Sequence, residues 1–127
     1  PEDGVVTLKP ANMTFEEAAA IPQGAVIALQ GIHHQGQVQP GQSVLINGAG
    51  GSAGSFAVQI AKYYGAVVTG VDHTCKMDFL RSLGADHVID YTREDFTRSR
   101  KRYDLILDAA AYRSISNYRR ALSPEGI

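Results

Sequence analysis

Cysteine is almost missing from this chain: Cys75 is the only one in 127 residues. One thiol closes no internal disulfide and supplies no thiolate cluster, so a reducing compartment, the cytoplasm, is expected. An excess of charge of either sign is lacking too. Twelve Lys and Arg stand against 13 Asp and Glu, a net charge of -1. No overall field therefore draws in nucleic acid or an anionic lipid surface, and neither is expected as a partner. Long apolar runs are missing as well. No stretch approaches the ~20 residues that cross a bilayer, and no signal-peptide pattern opens the chain. Repeats and low-complexity tracts are likewise absent. What is present, 44% hydrophobic and 20% charged residues, suffices for one packed domain and argues against disorder. Pro1 in place of a start methionine, and Ile127 just after the turn residues Ser123-Pro124, give the expectation of a piece of a longer protein.

The apolar pattern assigns the elements. Val5, Val6 and Leu8 alternate weakly, as in a short strand. Thr14 followed by Glu17 forms a capping box that starts a helix, and Pro22 stops it near Ile21. Ala25, Ala28, Leu29 and Ile32 make the stripe of a second helix, closed by Gly36 and Pro40-Gly41. The short apolar run Ser43-Val44-Leu45-Ile46 then predicts a strand buried on both faces. It feeds the glycine cluster Gly48-Ala49-Gly50-Gly51-Ser52-Ala53-Gly54. A helix follows, with Ala53, Ala57, Ile60, Ala61 and Tyr64 on one side and Gly65 at its end. Further strands are predicted at 66–71, 87–89 and 104–108. Between and after them lie helices with Met77, Leu80 and Leu83, and with Ile115, Tyr118 and Leu122, facing inward. Strands that alternate with helices pair through crossovers rather than hairpins. The expected fold is α/β, a Rossmann-type doubly wound parallel sheet that ends after the fourth strand and its helix. Glu125-Gly126-Ile127 reads as the approach to a fifth strand.

The glycine cluster is where chemistry is expected. A tight strand-to-helix turn in a parallel sheet presents free N–H groups and the positive helix end at the sheet's carboxyl edge, which suits a pyrophosphate. Glycines permit both the turn and the close approach. Two registers fit, Gly48-x-x-Gly51-x-x-Gly54 and Ala49-x-Gly51-x-x-Gly54. Asp72, at the end of the next strand, stands near the ~20-residue offset of a ribose-binding carboxylate. The bland alternative is a glycine turn that only lets helix and sheet pack closely. A Walker-A loop is excluded, since no Lys-Ser or Lys-Thr follows the glycines.

Several runs together resemble the medium-chain dehydrogenase/reductase superfamily, in its quinone-oxidoreductase-like branch. They are Val44 to Gly51, Phe56 to Lys62, Leu83 to Tyr91, Tyr103 to Asp108 and Arg120 to Pro124. The resemblance implies a two-domain NAD(P)-dependent oxidoreductase. Residues 1–22 would be the tail of a GroES-like catalytic domain and its link, and 23–127 part of the NAD(P)-binding Rossmann domain. It places Gly48, Gly51, Ser52, Ala53 and Gly54 at the pyrophosphate, and Lys76 and Tyr91 near the adenosine phosphate of NADP(H). Asp72 favours NAD(H) instead, because a carboxylate repels a 2′-phosphate, while His73, Thr74 and Lys76 offset that by donating to it. NADP(H) is the favoured cofactor and NAD(H) remains open. Three departures from the family pattern are Gly51-Ser52-Ala53-Gly54 in the turn, Ile27 where a threonine is common, and Ala111 where glycine is common.

Hydride transfer to a quinone, an enal or another small carbonyl or alcohol substrate is the expected function, with this chain supplying the cofactor-binding part. Cys75 is alone and falls beside the adenosine end, so no zinc is expected and no catalytic acid or base is assigned. A homodimer is expected for the intact protein. Two other readings stand beside this one. S-adenosylmethionine-dependent methyl transfer also uses a glycine turn, although Asn47 stands where it places an acidic residue. A nucleotide-binding relative without catalysis is the other. His33 and His34, being adjacent, diverge on a helix and read as a solvated end. His87 reads as a packing or hydrogen-bonding residue, the basic run Arg98 to Arg102 as a solvated loop, and Asp108 either as a ribose contact or as a strand-end cap.

Overall fold

Val44, Leu45 and Ile46 are fully buried, and their alternation divides the interior in two. Val44 and Ile46 face one apolar cluster with Ala28, Ile32, Ala57, Val58, Ala61 and Leu80. Leu45 faces the other, with Val71, Ile89, Phe96, Tyr103 and Ala121. A strand apolar on both sides must have helices on both sides, and this requirement organises the molecule. The structure, a computed structural model, describes residues 6–127. Four parallel strands, β1 (Ser43–Asn47), β2 (Val67–Asp72), β3 (His87–Asp90) and β4 (Leu105–Asp108), form one sheet in the order β3-β2-β1-β4. Asn47 aligns with Val71 on one side and Asp108 on the other, and Asp72 aligns with Asp90. The strands' polar last residues thus share one edge.

The first helix, α1 (Phe15–Ala20), opens with the capping box read from the sequence. Thr14 Oγ1 accepts the Glu17 N–H, and Glu17 Oε2 accepts the Thr14 N–H. Pro22 is the first residue of α2 (Pro22–Leu29), where its missing N–H has no consequence. The helix runs on as a π turn over Gln30–Gln35. Its buried stripe is Gly24, Ala28 and Ile32. Leu29, expected inward, is 38% exposed. Gly24 takes that place because the neighbouring helix α3 (Ser52–Tyr63) passes too close for a side chain: a Cβ there would lie 2.5 Å from Ser52 Oγ. Helix α4 (Met77–Ser82) buries Leu80 on the α3 face, and α5 (Ile115–Ala121) buries Ala121 on the other.

Three smaller expectations are corrected. Val5 lies outside the described residues, and residues 6–10 form no strand; Leu8 is 93% exposed because no sheet edge lies alongside it. Ile115 opens α5 but is 79% exposed, since the helix turns Tyr118 and Ala121 inward instead. His87 is exposed at the start of β3, one of the two edge strands of the sheet. Ile127 donates to the Asp104 carbonyl and accepts from the Ile106 N–H. That is a parallel ladder contact beside β4, in keeping with the strand approach read at 125–127. No helix among the described residues is long and apolar enough to cross a membrane.

Candidate functional site

Strand β1 ends at Asn47 and the chain turns at once. Gly48 has φ +79°, a left-handed backbone that an L side chain resists. The Gly48 and Ala49 amides both donate to the Val71 carbonyl, and Gly51 donates back to Gly48. Gly54 is required by packing: a Cβ there would fall 2.1 Å from the Gly48 carbonyl oxygen and 2.7 Å from Ala49 Cα. Gly51, the N-cap of α3, is different. It has ordinary backbone angles and a Cβ on it would meet only the Gly48 oxygen, at 3.3 Å. No side chain caps α3. The N–H groups of Ser52, Ala53 and Gly54 accordingly donate to no group among the described residues. Three free donors at the positive end of a twelve-residue helix, on a turn exposed at Gly51 and Ser52, form a cradle for an anion.

The residues singled out at the adenosine end lie together at the carboxyl ends of β2 and β3. Asp72 is 8% exposed. Its carboxylate accepts the Gly50 N–H and the His73 N–H, each at 2.7 Å. Lys76 donates to the Gly50 carbonyl at 3.1 Å and lies 3.7 Å from Asp72. His73 sits edge-on to Tyr91, with ring centres 6.0 Å apart, and its Nδ1 accepts the Cys75 N–H. Thr74 gives its hydroxyl hydrogen to Asp90. Thr92 supports the same carboxylate through its hydroxyl at 2.7 Å and its N–H at 2.9 Å. The hydroxyls of Thr74 and Thr92, against a small opposing effect of burial, hold Asp90 down to about 2.

Sequence reasoning missed this second carboxylate and the part played by Gly50. A signal was there: the strands end in Asn47, Asp72, Asp90 and Asp108, one polar residue each at the same edge. Asp108 proves to be a cap. Its Oδ1 accepts from Asn47 Nδ2 at 3.0 Å and from the Ala110 and Ala111 amides at 3.1 and 3.0 Å. Its Oδ2 takes the Tyr118 hydroxyl at 2.6 Å. Burial raises the Asp108 carboxyl, but these donors outweigh it and the group stays below the ordinary carboxylate range. Between β1 and β4 the strand order changes direction, which is where ligands sit in open α/β sheets. Gly48 and Ala110 approach each other there, a Cβ on Gly48 meeting Ala110 at 3.2 Å. A concavity of about 750 Å³ lined by His33, His34, Tyr63 and Tyr64 lies at the opposite, amino edge, away from the free amides.

The family described as zinc-binding dehydrogenase matches residues 53–127, more than half of the chain. The chain belongs to that family. Its Rossmann-type sheet is that of the medium-chain dehydrogenases and reductases which the sequence motifs resemble. It is similar to the 2-methylene-furan-3-one reductase of Solanum lycopersicum, 40% identical over 110 residues, covering 85% of this chain and 28% of that protein. The chloroplastic NADPH-dependent alkenal/one oxidoreductase of Arabidopsis thaliana is 40% identical over 111 residues, covering 85% of this chain and 28% of its own length. The solved structure of the quinone oxidoreductase from Coxiella burnetii matches with a TM-score of 0.88 and 30% identity, over 94% of this chain and 38% of that one. The chain thus spans 28% of the length of these two curated relatives.

The residues of this family member fit a nicotinamide dinucleotide: the cradle of free amides has the donors that a pyrophosphate would need, and Gly51 would leave room for its approach. The metal in the family's description does not fit them. Among the described residues no three His, Cys, Asp or Glu side chains gather where they would hold an ion, and Cys75 is exposed at the adenosine end.

Proposed function

We propose that the protein is an NAD(P)H-dependent oxidoreductase. It moves hydride to or from a quinone, an enal or another small carbonyl or alcohol substrate, and this chain supplies the cofactor-binding part. One observation carries the reading: the free amides of Ser52, Ala53 and Gly54 at the mouth of the first strand–helix unit, with Gly51 open beside them. In this reading residues 23–127 belong to the dinucleotide domain and 1–22 link it to the catalytic domain. The nicotinamide, when bound, supplies the hydride, and the protein's part is to hold it in line with the acceptor carbon. The amides of Ser52 to Gly54 take the pyrophosphate charge, while Gly48 keeps the turn tight. Lys76, with three N–H donors of which one serves Gly50, His73 and Tyr91 receive the adenosine end, and Thr74 joins them through a turn of its hydroxyl.

NADP(H) is the preferred cofactor in this reading. The support is the cationic Lys76 beside His73 and Tyr91, and the NADPH named for the Arabidopsis relative. The reading further takes a cytoplasmic homodimer that works without zinc and binds neither nucleic acid nor membrane. Elemental analysis and sedimentation of the whole protein check the metal and the assembly; stoichiometric zinc would contradict the first. The main test is a fluorescence titration of the whole protein with NADPH, NADH and S-adenosylmethionine. NADPH is expected to bind more tightly than NADH, and S-adenosylmethionine not at all. Silence toward both dinucleotides at millimolar concentration overturns the proposal, and binding of S-adenosylmethionine alone replaces it with methyl transfer.

A further inference from the structure

Gly50 is gripped at both its peptide groups. Its N–H donates to Asp72 Oδ2 at 2.7 Å, and its carbonyl accepts from Lys76 Nζ at 3.1 Å. The Lys76 stem crosses the turn so closely that a Cβ on Gly50 would come within 2.4 Å of Lys76 Cδ and 3.0 Å of Asp72 Oδ2. Asp72 is occupied on its other oxygen as well. Oδ1 accepts the His73 N–H at 2.7 Å and faces the Lys76 ammonium at 3.7 Å. A carboxylate that takes both hydroxyls of a ribose needs open acceptor directions on both oxygens. This one has given one of the two directions on each oxygen to a backbone amide, the second on Oδ1 faces the Lys76 ammonium, and the residue is 8% exposed. Its charge is balanced by Lys76, so the repulsion that such a residue exerts on a 2′-phosphate is reduced where it would matter.

We propose that Asp72 is a positioning residue of the glycine turn and does not select between the two dinucleotides. With Lys76 it clamps the Gly50 peptide, and the clamp fixes the direction in which the following amides point at the pyrophosphate. The ligand in this role rests on the dinucleotide reading above; the clamp itself does not.

The test uses the whole protein with Asp72→Asn and Asp72→Ala, and has two arms. In the first, hydrogen–deuterium exchange is followed without any ligand. The Gly50 amide is expected to exchange at least tenfold faster in Asp72→Ala, with Asp72→Asn between it and the native protein because the amide oxygen still accepts one N–H. The segments of β1 and of the second half of α3 should stay unchanged, which a general loss of stability would not allow. In the second arm 5′-ADP and 2′,5′-ADP, the adenosine halves of the two dinucleotides, are titrated by calorimetry. Both affinities are expected to fall together, about ten- to 150-fold, the scale of one lost charge-assisted hydrogen bond, with their ratio held within threefold. Unchanged exchange at Gly50 overturns the clamp. A tenfold or larger rise in the preference for 2′,5′-ADP overturns the assigned role and makes Asp72 a ribose ligand. If the native protein binds neither probe, the dinucleotide reading fails, and the exchange arm alone decides the clamp. Should Asp72→Ala not fold, Asp72→Asn carries both arms.

Discussion

Ala111 sits at φ +53°, a left-handed backbone that costs an L-residue roughly 1–2 kcal/mol and glycine almost nothing. The position follows β4, where the Ala110 and Ala111 amides must both reach Asp108, and the turn persists because those bonds hold it. Ala111→Gly relieves the backbone but loosens the unfolded chain by about 0.4–1 kcal/mol. A net gain of about 0.5–1 kcal/mol is therefore expected in a urea titration, and a lower midpoint would show that the turn carries no strain. Tyr118, which closes the same network, is pushed up to about 12 by burial and then by its bond to Asp108. With a folded value above the unfolded one, its contribution to stability is complete below about pH 10. It is lost as the pH climbs toward about 12. Tyr118→Phe should cost about 1.5–3 kcal/mol at neutral pH, the range for a hydrogen bond to a charged group. It should also shrink the late step of an ultraviolet titration of tyrosine absorbance, a step it shares with Tyr103, which burial raises too.

The strand–turn–helix unit from β1 into α3 separates packing from ligand approach at two glycines only three residues apart. At Gly54 a methyl group has no room, with a carbonyl oxygen 2.1 Å away. Gly54→Ala must push α3 off the sheet, and a loss of at least about 1–3 kcal/mol is expected by chemical denaturation. At Gly51 a methyl group fits, so Gly51→Ala should change stability by no more than about 1 kcal/mol. In the proposed reading the same methyl would stand in the path of the pyrophosphate, and NADPH affinity should fall tenfold or more by fluorescence titration. Full affinity in a well-folded Gly51→Ala protein would move the ligand away from this turn. The sequence alone distinguished the glycines as a group, because a buried strand runs into them and an amphipathic helix runs out. It did not separate Gly51 from Gly54, nor give Gly50 its part, since those differences lie in which neighbour a Cβ would strike.

Across the whole molecule, the carboxylates of Asp86, Asp90, Asp95 and Asp108 are all held below their ordinary range. At Asp86, Asp95 and Asp108 burial works the other way and is outweighed by donors: Lys62 and the Val68 amide for Asp86, Thr97 and Arg113 for Asp95, and the Tyr118 network for Asp108. Asp90 is set mainly by Thr74 and Thr92. Folded values lie below unfolded ones, so the stability these groups lend is complete above about pH 4. It drains away as the pH falls toward about 2, the value held at Asp90. Melting curves should therefore be flat near neutrality and drop steeply below about pH 4. Thr92→Val, which removes one donor from Asp90, should reduce the part of that drop belonging to β3. A protein equally stable at both ends of this range would show that the networks contribute nothing.

Local chemistry settled much of this protein before any folding. Thr14 with Glu17 and Pro22 placed the first two helices, because capping and proline sterics act within four residues. The apolar run at 43–46 required cover on both faces and hence a doubly wound sheet. Glycines after that run marked the cradle. Tertiary structure decided the rest: that Gly24 and not Leu29 faces α3, that Ile115 and His87 turn to solvent, that Asp108 is a cap, and that Asp72 looks inward at Gly50. Each of these depends on which distant backbone comes within hydrogen-bonding or van der Waals reach, a distance that no spacing along the chain encodes.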